Sequence, residues 1–141
     1  MNKKTIVTIL VEQHRTLQKG LKAVSGLLES ADIDTQDIIF SLNQFKQDLI
    51  DHLELENGTF YPELLKKMQA KGQDTEKTEQ FIDEMKDIEA RVKTFLGKYE
   101  SVESVETKKD QFKKEFEKNV EILNIRIASE EATVYSYWAL F

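Results

Sequence analysis

His52 and Glu56 lie four residues apart, and in a helix that spacing puts an imidazole and a carboxylate on one face, one turn apart. Counting back, Ile38, Leu42, Phe45 and Leu49 recur at four- and three-residue steps that run on into His52 and Glu56. Two polar groups thus interrupt a stripe meant for the core, where burial demands a compensating partner. The only other histidine, His14, falls on a similar stripe with Leu10, Leu17, Leu21, Val24 and Leu28. Near the end of the chain Glu130 continues a count through Phe112, Phe116, Asn119, Leu123 and Arg126, with Val134 and Tyr137 beyond it. The neighbouring Glu131 competes for the inward position, and the stripe favours Glu130. Two imidazoles and two carboxylates brought together from three helices make a nitrogen and oxygen set suited to iron, manganese or zinc.

Long helices must position these groups. A first helix is expected from about Thr5 to Ser30. A second runs from about Thr35, beside the capping oxygens of Asp32 and Asp34, past Pro62 to about Lys71. Pro62 lacks an amide donor and crowds the carbonyl of Gly58, so a kink is expected there. Gly72-Gln73-Asp74 reads as a turn and Thr75 to Tyr99 as a third helix, with Phe81, Met85, Ile88, Val92, Phe95 and Tyr99 inward. Ser101 and Ser104 bracket the next turn, and a fourth helix follows. The expectation is all-α: a single domain over residues 1–141, built as an antiparallel up-down-up-down four-helix bundle.

Composition agrees with this and excludes other classes. One Pro, five Gly and 33% charged residues in 141 fit long amphipathic helices better than strands and frequent turns. A net charge of -6 argues against nucleic acid as a partner, and the Lys-rich segment from Lys108 to Lys118 is interleaved with acids as on a solvated face. With no Cys there is no thiolate site. Met1 to Val11 begins like a signal peptide, but Glu12, His14 and Arg15 cut the apolar run short, and no run suffices for a membrane span. A cytoplasmic location is the expectation.

The chain also repeats itself. His52, Glu56, Phe60 and Tyr61 match Arg126, Glu130, Val134 and Tyr135 in spacing, while His14, Leu17 and Leu21 match Met85, Ile88 and Val92. One helical hairpin is used twice, with its polar centre altered in the second copy. Tyr61 and Tyr135 each lie a little over one turn beyond a glutamate, in reach to donate to the carboxylates or to pack between helices.

These residues resemble the hemerythrin-like, or HHE cation-binding, domains. The likeness rests on Glu12-Gln13-His14-Arg15, on Asp51-His52-Leu53-Glu54-Leu55-Glu56 with Tyr61-Pro62, and on Glu130-Glu131 with Tyr135. The resemblance implies a four-helix bundle, a non-haem iron centre, and a role in oxygen, redox or iron sensing or handling, with dioxygen or nitric oxide as partners. It implies that His14 and His52 ligate one metal and that Glu56 and Glu130 take bridging positions. The chain departs from the pattern at Met85 and Arg126, which stand where second-metal histidines are expected. We therefore expect one metal ion, with Met85 filling core volume and Arg126 forked onto Glu56 and Glu130 in place of the second ion.

No nucleophile constellation or phosphate loop is present, so no enzyme activity is expected. The alternative function is a metal-free regulatory or protein-interaction module that keeps only the bundle. Its core would call for a protonated histidine beside the carboxylates, and its stability would fall as pH rises through an elevated histidine pKa. The aromatic run from Tyr135 to Phe141 either closes the bundle or serves self-association.

Overall fold

In a computed structural model of the chain, which describes residues 5–141, four long helical segments form the body of the molecule. They are α1 (Ile6–Glu29), α2 (Thr35–Leu55) continued by a π turn (Glu56–Phe60) into α3 (Tyr61–Ala70), α4 (Glu76–Lys98) and α6 (Lys109–Ala132). Short helices α5 (Val102–Glu106) and α7 (Val134–Trp138) flank α6. The opening Met1 to Lys4 of the signal-like stretch lies outside the described residues. Among those described, no helix is long and apolar enough to cross a membrane.

Local chemistry sets these boundaries. Thr5 and Asp34 accept hydrogen bonds from first-turn amides of α1 and α2, satisfying donors that a helix start leaves orphaned. Gly72 ends α3 at φ 70°, a left-handed conformation that suits glycine, and the amide of Gln73 closes back onto the carbonyl of Met68. Ser101 and Ser104 form a capping box that starts α5, so the expected loop between the third and fourth helices contains a helical turn of its own. Just before Pro62, where a kink is expected, the helix passes into a π turn in which the amide of Tyr61 reaches back to the carbonyl of Glu56.

Side chains pack in two apolar layers. One gathers Leu21, Ile38, Phe45, Phe95, Phe112 and Phe116; the other gathers Leu10, Phe60, Leu64, Ile82, Val134 and Tyr135. Helix α1 runs from the second layer to the first, α2 and α3 return, α4 repeats the outward course, and α6 with α7 returns again. Successive long segments therefore alternate in direction. Between the layers lie His14, His52, Glu56 and Glu130, all buried.

Two stripes are rotated from the expected ones. On α4 the buried residues include Ile82 and Glu89, while Phe81 and Ile88 lie at the margin. After α6 the chain breaks at Thr133 (φ -117°, ψ -91°), which turns Tyr135 inward and leaves Tyr137 37% exposed. The aromatic C-terminus partly closes the bundle: Tyr135 and Trp138 pack on Phe60, whereas Leu140 projects outward.

Because Phe112 is fully buried in the aromatic layer and Phe40 is exposed, we expect Phe112→Ala to cost about 3–5 kcal/mol. Phe40→Ala should change stability by less than about 0.5 kcal/mol. Chemical denaturation of the two variants checks both values.

Candidate metal centre

Three long segments deliver the polar layer. Helix α1 supplies His14, α2 with its π turn supplies His52 and Glu56, and α6 supplies Glu130. One potential ligand atom from each lies within 4.8 Å of all the others. The imidazole centroids are 4.7 Å apart. His14 Nε2 stands 3.2 Å from Glu130 Oε1, and His52 Nε2 stands 3.3 Å from Glu56 Oε2.

The outer nitrogens decide which way the rings present their lone pairs. His14 Nδ1 lies 2.9 Å from Glu131 Oε2, and since an ionised carboxylate only accepts, that nitrogen carries the proton. His52 Nδ1 donates likewise to Gln13 Oε1 at 2.8 Å. Both Nε2 lone pairs are thus left facing the centre, as metal ligation requires. Glu130 is the inward carboxylate and Glu131 lies behind the ring it supports, so the two neighbours divide the roles between them.

The tyrosines cross between the halves of the chain. Tyr61 donates to Glu130 Oε2 at 2.5 Å, and Tyr135 donates to Glu56 Oε2 at 2.6 Å. A regular helix advances 100° per residue, so a residue five positions on sits about 140° away from the first. The backbone departs from a regular helix at both places, as the π turn after Glu56 and as the break at Thr133 after Glu130. Burial, reinforced by the two carboxylates, pushes both phenols far above their ordinary pKa and keeps them as donors.

Protons remain scarce at the centre. Burial, and then the charge of Glu56, raises the Glu130 pKa well above the usual carboxylate range. Glu56 is penalised most by its own burial, but its neighbours, His52 first and then Glu130 and Tyr135, prevail and lower its pKa. Burial also lowers His14, outweighing the pull of Glu131. Burial thus disfavours the expected protonated histidine at His14 and favours a proton on Glu130, because a neutral imidazole is cheaper to bury than an imidazolium. Even so, Glu56 Oε1 is buried with no hydrogen-bond partner.

That orphan oxygen is the test of whether an ion fits. Ligands on opposite sides of an ion at about 2.1 Å lie about 4.2 Å apart, so the four atoms need close by only about half an ångström. A cation bound there would be held by His14, His52, Glu56 and Glu130, and Glu56 keeps one oxygen without a partner. A cavity of about 20 Å³, room for about one water, borders His14, His52 and Glu130 on one side and Met85 on the other. The residues fit a single divalent cation.

Arg126 does not occupy the expected position. Its guanidinium stacks 3.6 Å from the ring centroid of Phe81, donates to the Phe81 carbonyl at 2.8 Å, and reaches Glu84 at 3.3 Å. Its Nε faces Met85 Sδ at 2.8 Å. Turned toward the outer carboxylate of Glu84, it makes no hydrogen bond with Glu56 or Glu130. A side chain of that length places its charge several ångströms from its Cα, and the stripe position fixed only the Cα.

Glu89 escaped the sequence reading altogether. It is buried, accepts from the Asn57 amide at 3.2 Å through both oxygens, and has its pKa raised by burial. Its signal was present as a four-residue step from Met85, hidden by choosing Ile88 for the inward face.

Searches among curated proteins and among solved structures returned no match. The family description "Hemerythrin HHE cation binding domain" does match, over residues 5–138, a span that holds all four ligating residues together with Tyr61, Tyr135 and Arg126. With nearly the whole chain matched and a buried histidine and glutamate cluster between its helices, this protein belongs to the hemerythrin HHE cation-binding family.

Proposed function

We propose that the protein holds one iron ion through His14, His52, Glu56 and Glu130 and serves oxygen, redox or iron sensing rather than turnover of a substrate. The observation that carries this reading is the excess of lone pairs at the centre. Two imidazoles and the carboxyl groups of Glu56 and Glu130 converge there, one Glu56 oxygen has no partner, and the nearby phenols supply only two protons. A buried cation is the simplest group that offsets them. The donor set suits iron and also takes manganese or zinc. When bound, iron would supply redox chemistry and affinity for a diatomic ligand such as dioxygen or nitric oxide.

What surrounds the four residues supports single occupancy. On the α4 side the cavity is walled by Met85, Ile88, Val92 and Glu89, whose two oxygens accept from the Asn57 amide, and the guanidinium of Arg126 is committed to Phe81 and Glu84. The polar residues next to the ligands support them rather than offer groups for a reaction. Gln13 and Glu131 orient the rings, and Tyr61 and Tyr135 hold the carboxylates.

Protein purified from metal-replete cells, or reconstituted with iron(II), should carry about one ion per chain. His52→Ala and Glu56→Gln should each lose it. Elemental analysis giving below about 0.2 ion per chain, with no recovery on adding iron, manganese or zinc, would overturn the reading in favour of a metal-free interaction module.

The pH response separates the two states. Glu130 holds its proton more tightly folded than unfolded, so its contribution to the metal-free fold is full below the ordinary value of 4.5. That contribution fades as pH rises through the raised folded value. In chelated protein, Glu130→Gln should therefore gain stability relative to wild type as pH rises, since the amide stays neutral. Metal-loaded wild type should show the opposite trend and weaken as pH falls and protons compete for the ligands. Denaturation midpoints across pH, with and without chelator, measure both.

A further inference from the structure

The two imidazoles are supported unequally. His52 Nδ1 donates to the neutral amide of Gln13, one residue before His14 on α1. His14 Nδ1 donates to the carboxylate of Glu131, one residue after the ligand Glu130 on α6. Glu131 is 24% exposed, and its other oxygen is held by Arg15, which also donates to Gln18. Gln18 in turn donates to Asn124 of α6 at 3.2 Å. A polar chain thus runs along the seam between α1 and α6, with the back of one ligand ring at its inner end.

We propose that Glu131 is a positioning residue for the metal centre, locking the His14 ring with Nε2 toward Glu130 and making His14 the stronger donor of the two imidazoles. The proposal rests on the metal-binding reading above. The orientation follows from geometry: with Nδ1 tied outward at 2.9 Å, the ring can turn only by breaking that hydrogen bond, and Nε2 stays 3.2 Å from Glu130 Oε1. The donor strength follows from charge, because a carboxylate accepting the Nδ1 proton raises the basicity of the opposite nitrogen more than an amide does. Arg15 acts one step further out, by fixing the carboxylate that fixes the ring.

Cobalt(II) is a suitable probe, since it takes nitrogen and oxygen ligands and its visible absorption reports their strength and geometry. Titration of the full chain should show Glu131→Ala binding cobalt about 10–100-fold more weakly than wild type, with a shifted absorption band. Glu131→Gln should recover most of the affinity, because its amide oxygen can accept from Nδ1 as Gln13 does for His52. Arg15→Ala should lose less than Glu131→Ala. Helix content by circular dichroism should be unchanged in all three variants.

Wild-type affinity and spectrum in Glu131→Ala would overturn the proposal while leaving metal binding intact. Equal losses in the Ala and Gln variants would also overturn it, by showing that the Nδ1 acceptor does not matter. A wild-type chain that takes up no cobalt, iron, manganese or zinc would remove the metal reading itself, and this proposal with it.

Discussion

A shortage of protons at the middle of the bundle is the constraint on which the rest depends. The four clustered side chains are shut away from water between two apolar layers, and their inward atoms are nearly all acceptors. Left alone, such a cluster would repel itself in a medium of low dielectric. The fold answers with two phenols, one protonated carboxyl and two rings tied outward, and one oxygen of Glu56 still has no partner. The apolar layers matter here as much as the polar groups, because they exclude the water that would otherwise satisfy these atoms.

The repeated hairpin explains how so small a chain supplies this arrangement. Each half carries a glutamate followed five residues later by a tyrosine, and each tyrosine serves the glutamate of the other half. A five-residue step is wrong for a regular helix, and both halves depart from one with a local defect in the backbone, though by different means. Crossed pairing has a mechanical result as well. The π turn and the end of α6 are bound to each other through the same buried groups that face the cation site.

Much of this was legible in the residue order. The helix faces of α1 and α2 follow from an unbroken count of apolar residues, and that count places His14, His52 and Glu56 where the structure has them. Glu130 emerged over Glu131 from the same counting. Periodicity failed where it had to decide between neighbours or look past Cβ. On α4 a one-residue rotation hid Glu89, and at Thr133 an irregular backbone exchanged Tyr137 for Tyr135. For Arg126 the count located a backbone position, but the aromatic face of Phe81 and the outer carboxylate of Glu84 determined where the charge went. The role of Glu131 was hidden for a related reason, since support of a ring from behind leaves no periodic trace.

Helix α4 contributes none of the four ligating groups, although it walls the neighbouring cavity through Met85, Ile88 and Val92. An ion at the centre would therefore clamp three staves of the bundle and leave the fourth fastened by packing, by the hydrogen bonds of Glu89 to Asn57 and by the grip of Arg126. In such a molecule the helices that would bind the ion and the helix that closes off the adjoining cavity are different, so a change in the lining from α4 alters the cavity and leaves the four clustered residues in place.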